Sequence, residues 1–203
     1  MPYCLIPLTH FLKNNFVQCT GISFIDSTSI AVCRNIRINR NKVFHGIAMR
    51  GKSSMGWFFG LKLHIVVNEK GEILNAKITA GNTHDKVPVK NLCSNLFGKL
   101  YGDKGYLGQK LFEELFAQNL EFITNIRGNM KNKLLRIYDK IMLRKRFIIE
   151  TIFDQLKNIS DIEHSRHRSP TNFLVNIIAG LISYTYQDKK PCIKMPNQAL
   201  ARL

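Results

Sequence analysis

A single acid in the middle of an apolar run sets the first constraint on this chain. Residues Ile22 to Val32 read Ile-Ser-Phe-Ile-Asp-Ser-Thr-Ser-Ile-Ala-Val, with Asp26 at the centre. Runs rich in Ile, Phe and Val are what buried strands are made of, and burying a carboxylate costs several kcal/mol unless a partner or a metal compensates it. Taken alone, the segment also fits an edge strand with Asp26 in water, or a turn at Asp-Ser-Thr. Two further acids at the ends of apolar elements shift the balance.

Charge says what kind of partner such a chain would meet. The 203 residues carry 30 Lys and Arg against 14 Asp and Glu, a net charge of +16 spread from Arg34 to Lys194. A field of that sign favours a polyanion, nucleic acid first of all. An anionic membrane surface or plain solubility would not explain acids inside apolar strands. No signal peptide is evident, and the longest apolar stretch, Phe173 to Tyr186, is too short to span a bilayer. Cys4, Cys19, Cys33, Cys93 and Cys192 show no zinc spacing, which suits reduced thiols. The expectation is a soluble cytoplasmic protein without membrane contact. In length the chain fits one domain over 21–188, with a short segment over 1–20 and a tail over 189–203.

In chain order, the Asp26 strand is followed by a basic, Gly-containing stretch over 33–56, which reads as a long surface loop. Its six Lys and Arg, Arg50 and Lys52 among them, suit phosphate contacts. Trp57 to Val67 and Glu72 to Thr79 read as a hairpin about the turn Asn68-Glu69-Lys70-Gly71. The aromatics Trp57, Phe58 and Phe59 read as core. A helix follows Gly81-Asn82-Thr83-His84-Asp85 and runs through Phe97, with Asp85 read as a helix cap ahead of the alternative that it joins the acidic cluster. Leu100-Tyr101 is a short strand, Gln109 to Gln118 a helix and Glu121 to Ile126 a strand. Gly128-Asn129 breaks the chain before long helices over Leu134 to Ile159 and Thr171 to Tyr186. Three antiparallel-capable strands followed by alternating helix and strand make an α/β fold with a mixed five-stranded sheet and flanking helices, the order of the ribonuclease-H-like fold.

Asp103 ends the fourth strand between Gly102 and Gly105, where ligands of α/β sheets gather and where glycines let a substrate approach. Asp between glycines also serves as an ordinary turn former. Glu150 sits on a helix. At about 100° per residue, Arg146, Glu150 and Lys157 fall within about 40° of one another on the wheel, beside an apolar arc of Ile148, Ile149, Ile152, Phe153, Leu156 and Ile159. A solvated face with an Arg-Glu pair at i, i+4 gives the same pattern. Together, however, the acids suit phosphodiester chemistry, which uses two divalent cations held by carboxylates, Mg²⁺ or Mn²⁺, with open positions for phosphate oxygens. Asp26, Asp103 and Glu150 are the candidate catalytic and metal-binding residues. Arg146 and Lys157 would contact the DNA backbone beside them, fixing register more than reading sequence.

Three segments carry a family resemblance: Phe24-Ile25-Asp26-Ser27, Tyr101-Gly102-Asp103-Lys104-Gly105-Tyr106, and Arg146-Phe147-Ile148-Ile149-Glu150 with Lys157. They resemble the three signature regions of DDE-type bacterial insertion-sequence transposases, in order and on the matching elements. The third region of that family is a Tyr, Arg, Glu, Lys series with two, three and six intervening residues. Arg146, Glu150 and Lys157 keep that spacing, and Leu143 stands at the Tyr position. Val32 to Arg37, Gly56 to His64 and the Gly81 to Asp85 turn are similar as well, so the resemblance covers about residues 21 to 186. It implies metal-dependent cleavage at transposon ends and transfer of the freed 3′-hydroxyl to target DNA, without a covalent enzyme intermediate. It also implies a homo-oligomer that holds two DNA ends, and DNA contacts from Arg146, Lys157, Lys104, Arg50 and Lys52. Relatives carry a helical DNA-binding region ahead of the catalytic core, whereas Asp26 has 25 residues before it. The expectation is a catalytic core without that region. A nuclease or resolvase of the same fold, and an inactive remnant that binds DNA by charge, are the alternatives. His164 and His167 with Glu163 lack a third ligand at useful spacing and read as part of a basic loop.

Overall fold

The computed structural model describes residues 2–125, 135–163 and 168–194. Its organising element is β1 (Ile22–Cys33). On one side β1 pairs antiparallel with β3 (Gly56–Asn68), Asp26 lying opposite Ile65. On the other side it pairs parallel with β5 (Gly98–Gly102), through Ile22 to Phe24 only. β5 pairs parallel with β6 (Leu120–Thr124). The outer edge of β3 is shared end to end by two strands. β4 (Ile73–Ala80) takes the portion from Leu61 to Val67, and β2 (Met49–Ser53) takes Gly56 to Gly60. The order β4-β3-β1-β5-β6, three antiparallel strands and then two parallel to the first, is the ribonuclease-H-like arrangement expected from the sequence.

Period-two alternation splits the sheet into two apolar faces. Phe24, Ile30, Leu61, Leu63, Ile65 and Val67 pack beneath helices from both ends of the chain: α1 (Leu5–Asn14), α4 (Ile137–Lys145), α5 (Phe147–Asn158) and α6 (Pro170–Thr185). Ile25, Val66 and Leu100 face the other way, onto the one-turn helix α2 (Val89–Leu92) and α3 (Gln109–Phe116). The stripe Ile149, Ile152, Phe153, Leu156 is buried as the helical period requires, whereas Ile159, expected in the same arc, caps the end of the helix and is exposed. At the parallel junction β5 stops at Gly102, while β1 continues past Asp26 to Cys33. The β1–β3 pair, with β2 alongside, therefore projects as a narrow ribbon beyond the parallel half of the sheet.

Four local expectations change. The 33–56 stretch holds a 3-10 segment (Asn35–Arg40) and the strand β2, so the sheet has six strands. Polar Met49 to Ser53 becomes a strand because β3 outruns β4 and its edge would otherwise stay unpaired. The helix expected through Phe97 is one turn, Val89–Leu92. The long helix expected over 134–159 is, in the described residues, two helices that meet at Arg146, a junction with neither Pro nor Gly to mark it. Leu5–Asn14, weakly patterned in sequence, is helical, and its Leu12 joins the main core. Gly128-Asn129 and the His164–His167 pair lie outside the described residues.

Candidate active site

Each of the three acids occupies the end or the centre of an element that the core holds still. Asp26 follows Phe24 and Ile25, both fully buried, so its backbone is fixed at the centre of the sheet. Asp103 is the first residue past β5, in an extended conformation that leads into a 3-10 turn, Lys104–Tyr106. Glu150 lies in the first turn of α5, held by the buried Ile149 and Ile152. The side chains are 21%, 44% and 61% exposed in that order, so the site opens outward from Asp26.

What joins them is Arg146. Its Nη1 donates to Asp26 Oδ2 at 2.6 Å, and its Nη2 lies 3.3 Å from Glu150 Oε1 and 4.0 Å from Asp103 Oδ1. The break between α4 and α5 places the guanidinium at the mouth of the sheet. One cation thus meets carboxylates from three segments that lie far apart in sequence. The Asp26 carboxylate also accepts a hydrogen bond from Ser27 N at 2.8 Å. Burial nevertheless pushes its pKa up to about 6; Arg146 and the Ser27 amide pull the other way, and the Asp103 charge adds slightly to the rise. The buried Tyr106 hydroxyl is pushed above the ordinary tyrosine range by burial, then by the carboxylates of Asp26 and Asp85.

Three carboxylates offer hard oxygen donors of the kind a divalent cation takes. Among the described residues, no group of three or more His, Cys, Asp or Glu is arranged to hold an ion; the three acids instead meet the Arg146 guanidinium. The donor set fits such a cation in charge and donor type, provided that Arg146 moves off it.

The remaining candidates are spread along the sheet. Lys157 does not join the Arg146 cluster. Its Nζ donates to Ser29 O at 2.8 Å and pairs with Glu163 Oε2 at 2.7 Å, and Glu163 Oε1 accepts from Ala31 N at 3.1 Å, which ties α5 to the outer half of β1. Lys104 is exposed directly after Asp103, and Arg50 and Lys52 are exposed on β2. Sequence reasoning preferred capping for Asp85 over a place among the acids. In the structure it accepts from Ser27 Oγ at 2.8 Å and Lys62 Nζ at 2.9 Å, next door to Asp26. The signal that would have found it is position, since it follows β4 on the sheet end where Asp26 lies. Trp57, expected in the core, is exposed.

A mixed α/β sheet with acids from the middle of β1, the end of β5 and the first turn of α5 gathered at one guanidinium defines the class. Within it, the family model for the transposase DDE domain matches residues 16–170, and the chain belongs to that family. No curated protein matches the sequence. Among solved structures, a chain of the cryo-EM structure of the simian T-cell lymphotropic virus intasome in complex with PP2A regulatory subunit B56 gamma aligns at 11% identity with a TM-score of 0.36. The alignment covers 89% of this chain and 60% of that one. Among the described residues, no helix is long and apolar enough to cross a membrane.

Proposed function

We propose that the chain carries out metal-dependent cleavage and strand transfer on DNA as the transposase of a bacterial insertion sequence, working in the cytosol or nucleoid as a homo-oligomer. The observation that carries this reading is the convergence of Asp26, Asp103 and Glu150 on the Arg146 guanidinium, in a chain of the transposase DDE domain family. Asp26, Asp103 and Glu150 would hold two divalent cations, Mg²⁺ or Mn²⁺. When bound, such ions activate the attacking oxygen and stabilise the leaving one. Asp26, from the rigid centre of the sheet, fixes the position of the site, and the more exposed Asp103 and Glu150 adjust around it.

Arg146, freed from the acids, has a phosphate of the substrate as its next partner, a change from carboxylate to phosphate that its planar fork suits. Lys104 lies on the same rim. Lys157 holds β1 in place and reaches DNA only if it leaves Glu163; Arg50 and Lys52 lie farther along the ribbon. In the first step a water oxygen bonds to phosphorus as the bond to the 3′-oxygen breaks, and a free 3′-hydroxyl results. In the second that 3′-oxygen attacks a phosphodiester of the target strand and displaces its 3′-oxygen, so no bond to the protein forms.

The test is nicking and joining of DNA carrying the element's ends by the purified chain with Mg²⁺ or Mn²⁺, run beside Glu150→Gln and Asp103→Asn. Cleaved and joined products from the wild type alone are expected. Cleavage without joining would make the chain a nuclease, and equal products from all three proteins would remove the acids from the reaction.

A further inference from the structure

The tip of the β1–β3 ribbon carries an aromatic and cationic groove that the acids do not use. It has a volume of about 440 Å³ and is lined by Asn35, Ile38, Arg50, Trp57 and Phe58. Trp57 is 63% exposed. Lys52, opposite Trp57 in the β2–β3 register, brings its Nζ to 5.9 Å from the indole centroid, and Arg50 lies opposite Phe59. Asn35 Nδ2 donates to Trp57 O at 2.7 Å, which fastens the Asn35–Arg40 segment along the strand. That segment adds Arg37 and Arg40, and no Asp or Glu occurs anywhere between Asp26 and Glu69.

We propose that this groove holds unpaired nucleotides of a DNA strand, with a base stacked on Trp57 and its phosphates on Lys52, Arg50 and the arginines of the Asn35–Arg40 segment. Two features favour nucleotides over another anion. An indole presented to solvent between cations offers a stacking face and backbone charge together, the combination that binds single strands without reading sequence. The groove also lies on the same sheet face as Asp26. Phe59, Leu61, Leu63 and Ile65 alternate into the core beneath α5 and α6, Ile65 is the partner of Asp26, and Trp57 continues that alternation past the end of the helices. Eight residues of strand separate Trp57 from Ile65, about 27 Å at roughly 3.4 Å per residue. A strand leaving the acids along the ribbon would reach the groove after covering that distance.

The inference rests on the reading of the chain as a protein that acts on DNA, yet it is tested without catalysis. Trp57 is the only tryptophan, so fluorescence reports on this groove alone. The full chain in EDTA would be titrated with oligo(dT), with an abasic oligonucleotide of equal length and with a duplex, while anisotropy of labelled DNA gives affinity. Oligo(dT) is expected to quench the tryptophan saturably and the abasic strand much less. Trp57→Ala, an exposed change, is expected to weaken oligo(dT) binding by about 5- to 100-fold and duplex binding little, and Trp57→Phe to keep most of the affinity. Lys52→Gln is expected to reduce the salt dependence of binding. Equal binding of abasic and dT strands, Trp57→Ala binding oligo(dT) like the wild type, or stronger quenching by an acidic peptide would overturn the proposal. Nicking with base-independent binding removes the groove and leaves the active site; quenching without nicking does the reverse.

Discussion

Asp26 is expected to weaken the fold that carries it. Burial raises its pKa to about 6, against the ordinary 3.8, in spite of Arg146. The ionised side chain is therefore worse placed in the folded protein than in the unfolded chain. With a folded pKa above the unfolded one, its stabilising contribution is complete below about 3.8 and is lost as pH rises through about 6. That difference, at about 1.36 kcal/mol per pH unit, gives about 3 kcal/mol at pH 7 and above. The value is a ceiling, because a fifth of the side chain still meets solvent. Asp26→Asn imitates the protonated acid and can still accept from the Ser27 amide. We expect it to be more stable than wild type by about 1–3 kcal/mol at pH 7.5 in EDTA, seen as a Tm higher by about 2–4 °C per kcal/mol. Near pH 4 the difference should vanish. The buried His64, its pKa lowered to about 4 mainly by burial, costs stability in the opposite direction as pH falls from 6.5 toward 4. The comparison must therefore be variant against wild type at each pH, where the His64 contribution cancels. Thermal or urea melts at pH 4 and pH 7.5 decide it. A lower Tm for Asp26→Asn at pH 7.5 would mean that the Arg146 pair outweighs burial, and the picture of an acid held at a cost for function would be wrong.

Three further outcomes follow from the same contacts. Arg146→Gln takes away the cation shared by three carboxylates; stability in EDTA should fall by about 1–2 kcal/mol and Mg²⁺ should raise Tm more than in wild type, whereas an unchanged melt would deny Arg146 its organising role. Lys157→Met leaves Glu163 Oε2 and the Ser29 carbonyl without the ammonium, and urea melts should show a loss of about 1–2 kcal/mol even without DNA; loss of DNA affinity with full stability would instead make Lys157 a phosphate ligand. Asp139 is buried, with Lys99 Nζ and Tyr101 Oη both at 2.7 Å, so Asp139→Ala should cost about 3 kcal/mol by calorimetry, and a change under 1 kcal/mol would show that the pair is dispensable.

How far the chain could be read without coordinates depended on whether local pattern or distant packing decides each feature. Asp26 stood out because an acid interrupts Ile and Phe, and the fold did place it at the sheet's centre. Asp103 was marked by its glycines and Glu150 by its helical spacing to Arg146, both short-range signals. The part played by Arg146 was not visible, because the helix break that aims it has no Pro or Gly. The wheel that grouped Arg146 with Lys157 gives direction around the axis only; eleven residues at about 1.5 Å each carry Lys157 roughly 16 Å along α5, where it meets a carbonyl of β1 instead. β2 was invisible for a different reason: Met49 to Ser53 has no strand pattern, and only the unpaired edge of β3 makes it one. Trp57 has the same apolar pattern as Phe59, but it lies past the end of the covering helices, which only the tertiary fold determines. Asp139 and Asp85 likewise gain their roles from strands remote in sequence.

The most direct test of the central claim asks where a metal sits. With Fe²⁺ in place of Mg²⁺, ascorbate and peroxide generate hydroxyl radicals that cut the backbone beside the ion. The account predicts cuts near Asp26, Asp103 and Glu150 in one protein, suppressed together by excess Mg²⁺ and lost together in Asp26→Asn. Cuts at only one of these segments, at unrelated positions, or unchanged by Mg²⁺ would contradict a single three-carboxylate metal centre.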